Sequence, residues 1–149
     1  MQLIIFIGIQ AVGKSTFFKE RFIDTHIRIN QDMLKTKHRE HLLIEACLEA
    51  KQSFVIDKTN PTIEDRSKYI HLAMHHQFLI TGYYFESKVS DSLVRNSKRE
   101  GKMQIPDKGI LGTYNKLQLP SLKEGFNELF YVKIDESNGF IVEDWQNEI

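Results

Sequence analysis

Apolar positions along the chain follow two rhythms. Short, nearly unbroken runs at Gln2 to Ile7, Ile27 to Ile29, Ser53 to Asp57, Phe78 to Phe85 and Leu129 to Ile134 are rich in β-branched and aromatic residues and predict five strands. The first of them is almost fully apolar, the pattern of a strand buried on both faces of a parallel sheet. Between the runs the apolar residues recur at helical spacing. Phe17, Phe18, Phe22 and Ile23 mark a helix over Ser15 to Ile23, and a second runs from Gln31 to about Lys51 with its apolar positions dense from Leu42 to Ala50. Tyr69, Ile70, Ala73 and Met74 share one side of a helix over Ile63 to His76, with Pro61 in its first turn. A polar, basic helix is expected over Val89 to Gly101, and another over Asp107 to Leu117 after the Ile105-Pro106 break. Strands alternating with helices predict a three-layer α/β fold, a five-stranded parallel sheet with helices on both faces. Ligands in such folds sit beyond the carboxyl ends of the strands, where Gly8 and Asp57 fall.

Composition narrows the class. A chain of 149 residues, 41% hydrophobic and 27% charged, fits one domain over 1–149 that buries roughly 70% of its unfolded surface. Cys47 alone cannot form an internal bridge, which points away from disulfide-stapled secreted domains. The longest apolar run, Leu3 to Ile7, is too short to cross a bilayer, and Met1-Gln2 before it lacks the basic region of a signal peptide, so the expectation is a cytoplasmic protein without membrane contact. Lys plus Arg balance Asp plus Glu at 20 each, so no global basic field exists. Locally, Lys88 to Lys102 carries a net charge of +3 and Asp135 to Glu148 one of −5. The first stretch, about 88–106, is expected to be a lid; the acidic extension, about 135–149, reads as solvated surface.

Candidate chemistry begins at Gly8-Ile9-Gln10-Ala11-Val12-Gly13-Lys14-Ser15, which fits G-x-x-x-x-G-K-[ST] between a predicted strand and a predicted helix. Glycines let the backbone wrap a phosphate, the amides and the helix dipole favour its charge, Lys14 reaches β/γ oxygens, and Ser15 ligates Mg²⁺. Thr16 places a hydroxyl near the α-phosphate, while Ala11 and Val12 stiffen the loop. These features define a P-loop NTPase-type domain that binds ATP or another nucleoside triphosphate with Mg²⁺. An N-K-x-D base-reading motif is absent from the sequence, and its length leaves no room for the lever domains of mechanochemical ATPases, so a small phosphoryl-transfer kinase is the expectation.

Such a kinase needs an acceptor base and cations. Asp32, at a strand-to-helix junction, can take a proton from an attacking hydroxyl, although a carboxylate there also suits a helix N-terminus. Asp57 ends its strand where a carboxylate can hold a Mg²⁺-bound water, or start a turn. Arg95 and Arg99, four apart on one predicted helix face, can close on the phosphates as arginine fingers in cis.

These pieces, in this order, resemble the kinase domain of 5′-hydroxyl polynucleotide kinases and the small P-loop kinases around them. The resemblance rests on Gly8 to Thr16, Asn30-Gln31-Asp32, Val55-Ile56-Asp57-Lys58-Thr59-Asn60-Pro61, Arg95-Asn96-x-x-Arg99 with Ile105-Pro106, and Leu119-Pro120 leading to Glu124-Gly125-Phe126. It implies Asp32 as general base, Lys14 and Ser15 as phosphate and Mg²⁺ groups, and Arg95 and Arg99 as lid arginines. Lys35 would contact an acceptor phosphate, and Thr59 and Asn60 would line the acceptor site. Gln31 stands where the family often has Arg, and Lys58 where it often has Asn. The D-x-D-x-[TV] motif of an accompanying phosphatase is absent, so a kinase acting alone is expected, with the 5′-hydroxyl end of DNA or RNA as its partner. Two alternatives stay open: a kinase of a sugar, nucleoside or metabolite alcohol, and a nucleotide-binding regulatory module without acceptor chemistry. His71 and His75, one helical turn apart without an intervening H-E-x-x-H carboxylate, read as a solvated face. Cys47, Tyr83, Tyr84 and Phe85 read as core, and Trp145 could stack on a base.

Overall fold

A computed structural model describes residues 1–146. Among them, the strands β1 (Gln2–Ile7), β2 (Ile27–Ile29), β3 (Phe54–Ile56), β4 (Leu79–Phe85), β5 (Glu128–Ile134) and β6 (Phe140–Asp144) form one sheet ordered β2-β3-β1-β4-β5-β6. The first five are parallel, and β6 runs antiparallel to β5 at the edge. Helices α1 (Lys14–Arg21), α2 (Gln31–Leu34), α3 (Lys37–Ala50), α4 (Ile63–His75), α5 (Val89–Ser97) and α6 (Asp107–Lys116) complete the layers.

Side chains alternate across β1, so this one strand feeds two cores. Leu3, Ile5 and Ile7 pack with Ile44, Cys47 and Leu48 of α3 and with Ile70 and Ala73 of α4. Ile4 and Phe6 face the other way, onto Phe17 and Phe18 of α1 and Ile110 of α6. The three-layer α/β architecture is therefore the one the hydrophobic pattern predicts, and Cys47 and Tyr84 sit in the core.

Five local expectations are corrected. The acidic stretch after Asp135 contains a sixth strand, because Asp135 caps the turn by accepting from the amides of Ser137 (2.9 Å) and Gly139 (2.8 Å). The Ser137 hydroxyl, which donates to the same carboxylate at 2.8 Å, and then the Gly139 amide hold the Asp135 carboxyl below its ordinary range. Phe140 then meets Phe17 edge-on at 5.0 Å, and Trp145 packs on Tyr84 at 5.3 Å, where it buttresses the sheet. Residues 147–149 of that stretch, Glu148 included, lie outside the described residues.

The helix expected over Gln31 to Lys51 is two helices, because two N-caps compete for it. The Asn30 side chain accepts from the Met33 amide (3.0 Å) and that of Thr36 from the Arg39 amide (3.1 Å). Lys35 turns between them at φ 74°. Pro61 lies before the cap of α4, not in its first turn, since Thr62 and Asp65 form a capping box; Met74 is exposed, not core. Helix α5 ends at Ser97, so Arg99 does not share a helical face with Arg95. The buried Asn96 side chain causes this early stop by clamping Ile105, donating to its carbonyl (2.6 Å) and accepting from its amide (3.0 Å).

Candidate active site

The loop from Gly8 to Gly13 joins the central strand to α1 and is held from three sides. The Gly8 amide donates to the Thr59 carbonyl (3.0 Å), the Ile9 amide to Ser87 Oγ (3.1 Å), and Gln10 Nε2 to Thr113 Oγ1 (2.9 Å). Gly13, the residue before α1, has φ 91°, and a Cβ there would lie 3.0 Å from the Phe140 ring. Only glycine meets both demands. Ala11 adopts φ 60°, so a side chain occupies a left-handed position inside the loop.

Lys14 folds back over this loop, donating to the carbonyls of Gly8 (2.9 Å) and Ile9. Burial pushes its ammonium down to about 7, against the upward pull of Asp57 and helped by the charge of Arg99. An anion bound at the loop would add to the counter-charge of Asp57 and favour the charged ammonium. Arg95 reaches the same loop from α5, with Nη1 3.5 Å from the Ala11 carbonyl, while Arg99 donates to the Met103 carbonyl (3.3 Å). Arg95 therefore touches the phosphate loop, whereas the hydrogen bond of Arg99 stays within its own segment. Thr16 is exposed on α1.

At the carboxyl end of β3, the buried Asp57 receives Ser15 Oγ at 3.4 Å. Arg28, on β2, bridges the two: Nε donates to Asp57 Oδ2 and Nη2 to Ser15 Oγ, both at 2.8 Å. A hydroxyl and a carboxylate are hard oxygen donors of the kind Mg²⁺ takes alongside phosphate oxygens, and the guanidinium shows that the pair attracts positive charge. The residues fit that ion. Arg28 was missed by sequence reasoning because its partner lies on a neighbouring strand. Arg28→Leu is expected to destabilise the nucleotide-free protein by about 2 kcal/mol, since it takes the charged donor from a buried carboxylate and leaves it only the longer bond from Ser15. Thermal unfolding checks this; Mg²⁺ should raise the midpoint of the variant more than that of the wild type.

Asn30 connects this region to α2. Its Nδ2 donates to the Asp57 carbonyl (3.0 Å) while its Oδ1 caps α2, placing Asp32 on the exposed first turn beside the end of β3. Lys35 is exposed at the other end of the same short helix. Thr59 offers its carbonyl to the phosphate loop, and Asn60 is buried, with its amide donating to the Phe6 carbonyl (2.7 Å). In this arrangement Asn60 shapes the loop after β3. That loop is also gripped by Arg66, fully buried, which donates to the carbonyls of Asn60 (2.9 Å) and Pro61 (3.2 Å) and forks onto Glu124 (2.8 and 3.1 Å).

A family profile described as "AAA domain" matches residues 3–118, and the chain belongs to this family of P-loop domains. The bifunctional polynucleotide phosphatase/kinase of Schizosaccharomyces pombe is 31% identical over 137 residues, covering 86% of this chain and 32% of that protein. The chain thus spans about a third of that relative's length. Among solved structures, Chaetomium thermophilum Kti12 in complex with ADP-AlF3 superposes with a TM-score of 0.67 at 14% identity, covering 91% of this chain and 92% of that one. A gluconokinase from Sinorhizobium meliloti 1021 gives 0.65 at 15%, covering 91% and 83%. These structures share the fold. Among the described residues, no helix is long and apolar enough to cross a membrane.

Proposed function

We propose that this domain transfers the γ-phosphoryl group of ATP, or another nucleoside triphosphate, to a hydroxyl, with the 5′-hydroxyl end of DNA or RNA as acceptor. The observation that supports the reading is the Asn30 bridge: two residues before the exposed Asp32, Asn30 donates to the carbonyl of Asp57, whose buried side chain accepts from Ser15 at the end of the phosphate loop. The kinship with a polynucleotide phosphatase/kinase supports the choice of acceptor.

Each residue then has one task. Lys14 leaves the loop carbonyls for the β/γ oxygens, and the loop amides with Thr16 hold the remaining phosphates. Ser15 and Asp57 hold Mg²⁺, which when bound draws off charge from the phosphate oxygens. Asp32 accepts the proton of the attacking hydroxyl, so that the new O–P bond forms as that O–H bond breaks. Arg95 and Arg99 steady the charge on the transferring group. Lys35 and Thr59 meet the acceptor, and Asn60 keeps the Thr59 carbonyl on the loop.

The test is a comparison of kcat/KM for a 5′-hydroxyl oligonucleotide, free nucleosides and sugar acids. The proposal expects the oligonucleotide to be favoured by about a hundredfold or more. Preference for a small alcohol would make the domain a metabolite kinase, and ATP binding with no acceptor at all would make it a regulatory module.

A further inference from the structure

Two cavities of about 260 and 270 Å³ adjoin on the α3–α4 side of the loop after β3, and they share Lys58, Lys68 and Tyr69. Lys116 of α6 lines the first and Lys37 of α3 the second, so four ammonium groups from four segments border one trench. The carboxylates facing them are already engaged. Asp65 accepts from the amide of Thr62 within the α4 capping box, and the buried Glu40 accepts from the Tyr69 hydroxyl. Lys58 is fixed against Tyr69 and Glu40, donating to Tyr69 Oη (2.9 Å) with Glu40 at 3.5 Å. Lys58 and Lys68 both crowd the Tyr69 ring, at 5.6 and 4.9 Å from its centroid. Burial pushes the Lys58 ammonium below the ordinary lysine value, Glu40 raises it, and the neighbouring Lys68 lowers it again.

The trench opens beside the phosphate loop. Its wall residue Thr59 accepts from the Gly8 amide, and its wall residue Thr113 accepts from Gln10 of that loop. Point charges spaced along a track, without an arginine fork or a ring of backbone amides, match a polyanion whose charges are themselves spaced. We propose that this trench is a second anion site, which binds phosphodiester groups of the acceptor strand behind its reacting end. The inference rests on the acceptor reading above and deepens it: the substrate is a strand of several nucleotides, held by backbone charge without regard to base.

The exposed Lys68 and Lys116 can be changed without disturbing the core. The test compares wild type, K68Q/K116Q and K68R/K116R, using a fluorescent single-stranded DNA for binding as salt is varied and a 5′-hydroxyl strand for turnover. In K68Q/K116Q the Kd and the acceptor KM should rise about tenfold, and the slope of log Kd against log salt should flatten by about 1.4, at 0.7 per lost phosphate contact. The kcat and the affinity for ATP should stay as in wild type, and the arginine pair should restore the slope. Wild-type turnover of the strand with Kd, KM and slope unchanged in K68Q/K116Q would overturn the trench and leave the acceptor reading standing. Neither binding nor turnover of the strand by the wild type would overturn both.

Discussion

Asp32→Ala is expected to cut phosphoryl transfer by orders of magnitude while the domain still folds and binds ATP·Mg²⁺. A positioned general base contributes about 10² to 10⁴ in rate, and kcat should fall by that amount. The side effects should be small for structural reasons. Asp32 is exposed, and α2 is capped by Asn30, so removing the carboxylate leaves the helix anchored to the end of β3. Lys14, Ser15, Asp57 and Arg28 bond to one another and to the phosphate loop without involving Asp32. Single-turnover kinetics and an ATP titration of the same sample separate the two properties. A variant with wild-type kcat would remove Asp32 from the mechanism.

Arg66→Leu is expected to give the largest loss of stability, about 3–5 kcal/mol, because it leaves Glu124 buried without its partner. That is a large part of the roughly 5–15 kcal/mol that stabilises a typical domain. The damage extends to the site, since the same guanidinium holds the carbonyls of Asn60 and Pro61. Urea unfolding checks the magnitude. The double change R66L/E124L should recover part of the loss, because two apolar side chains replace an ion pair without stranding a charge. A midpoint unchanged in Arg66→Leu would show that the pair does not hold the loop.

The parts of this protein that were legible in the sequence are those whose meaning is local. The strand, loop and helix around Gly8 to Ser15 are contiguous, and the apolar run of β1 can be buried in only one kind of sheet. Arg66 was legible in principle, because it lies three and four residues before Tyr69 and Ile70 on the buried side of α4, where an arginine must find a partner. Arg28 was not, since its meaning depends on β2 lying next to β3. The same holds for the trench, whose lysines are brought together only when α3, α4 and α6 pack around one loop. Strand β6 was hidden by charge: its outward Glu143 faces Lys133, and its apolar partners are spread over Phe140, Val142 and Trp145. The early end of α5 depends on Asn96 binding a residue nine positions away, a contact that helical periodicity does not record.

The most direct test of the account is transfer of labelled γ-phosphate from ATP·Mg²⁺ to short single strands of DNA and RNA that carry a 5′-hydroxyl, beside identical strands already phosphorylated at that end. The account predicts label on the 5′-hydroxyl strands alone, released by nuclease digestion as nucleoside 5′-monophosphate. Label on neither strand, with ATP bound, would contradict it.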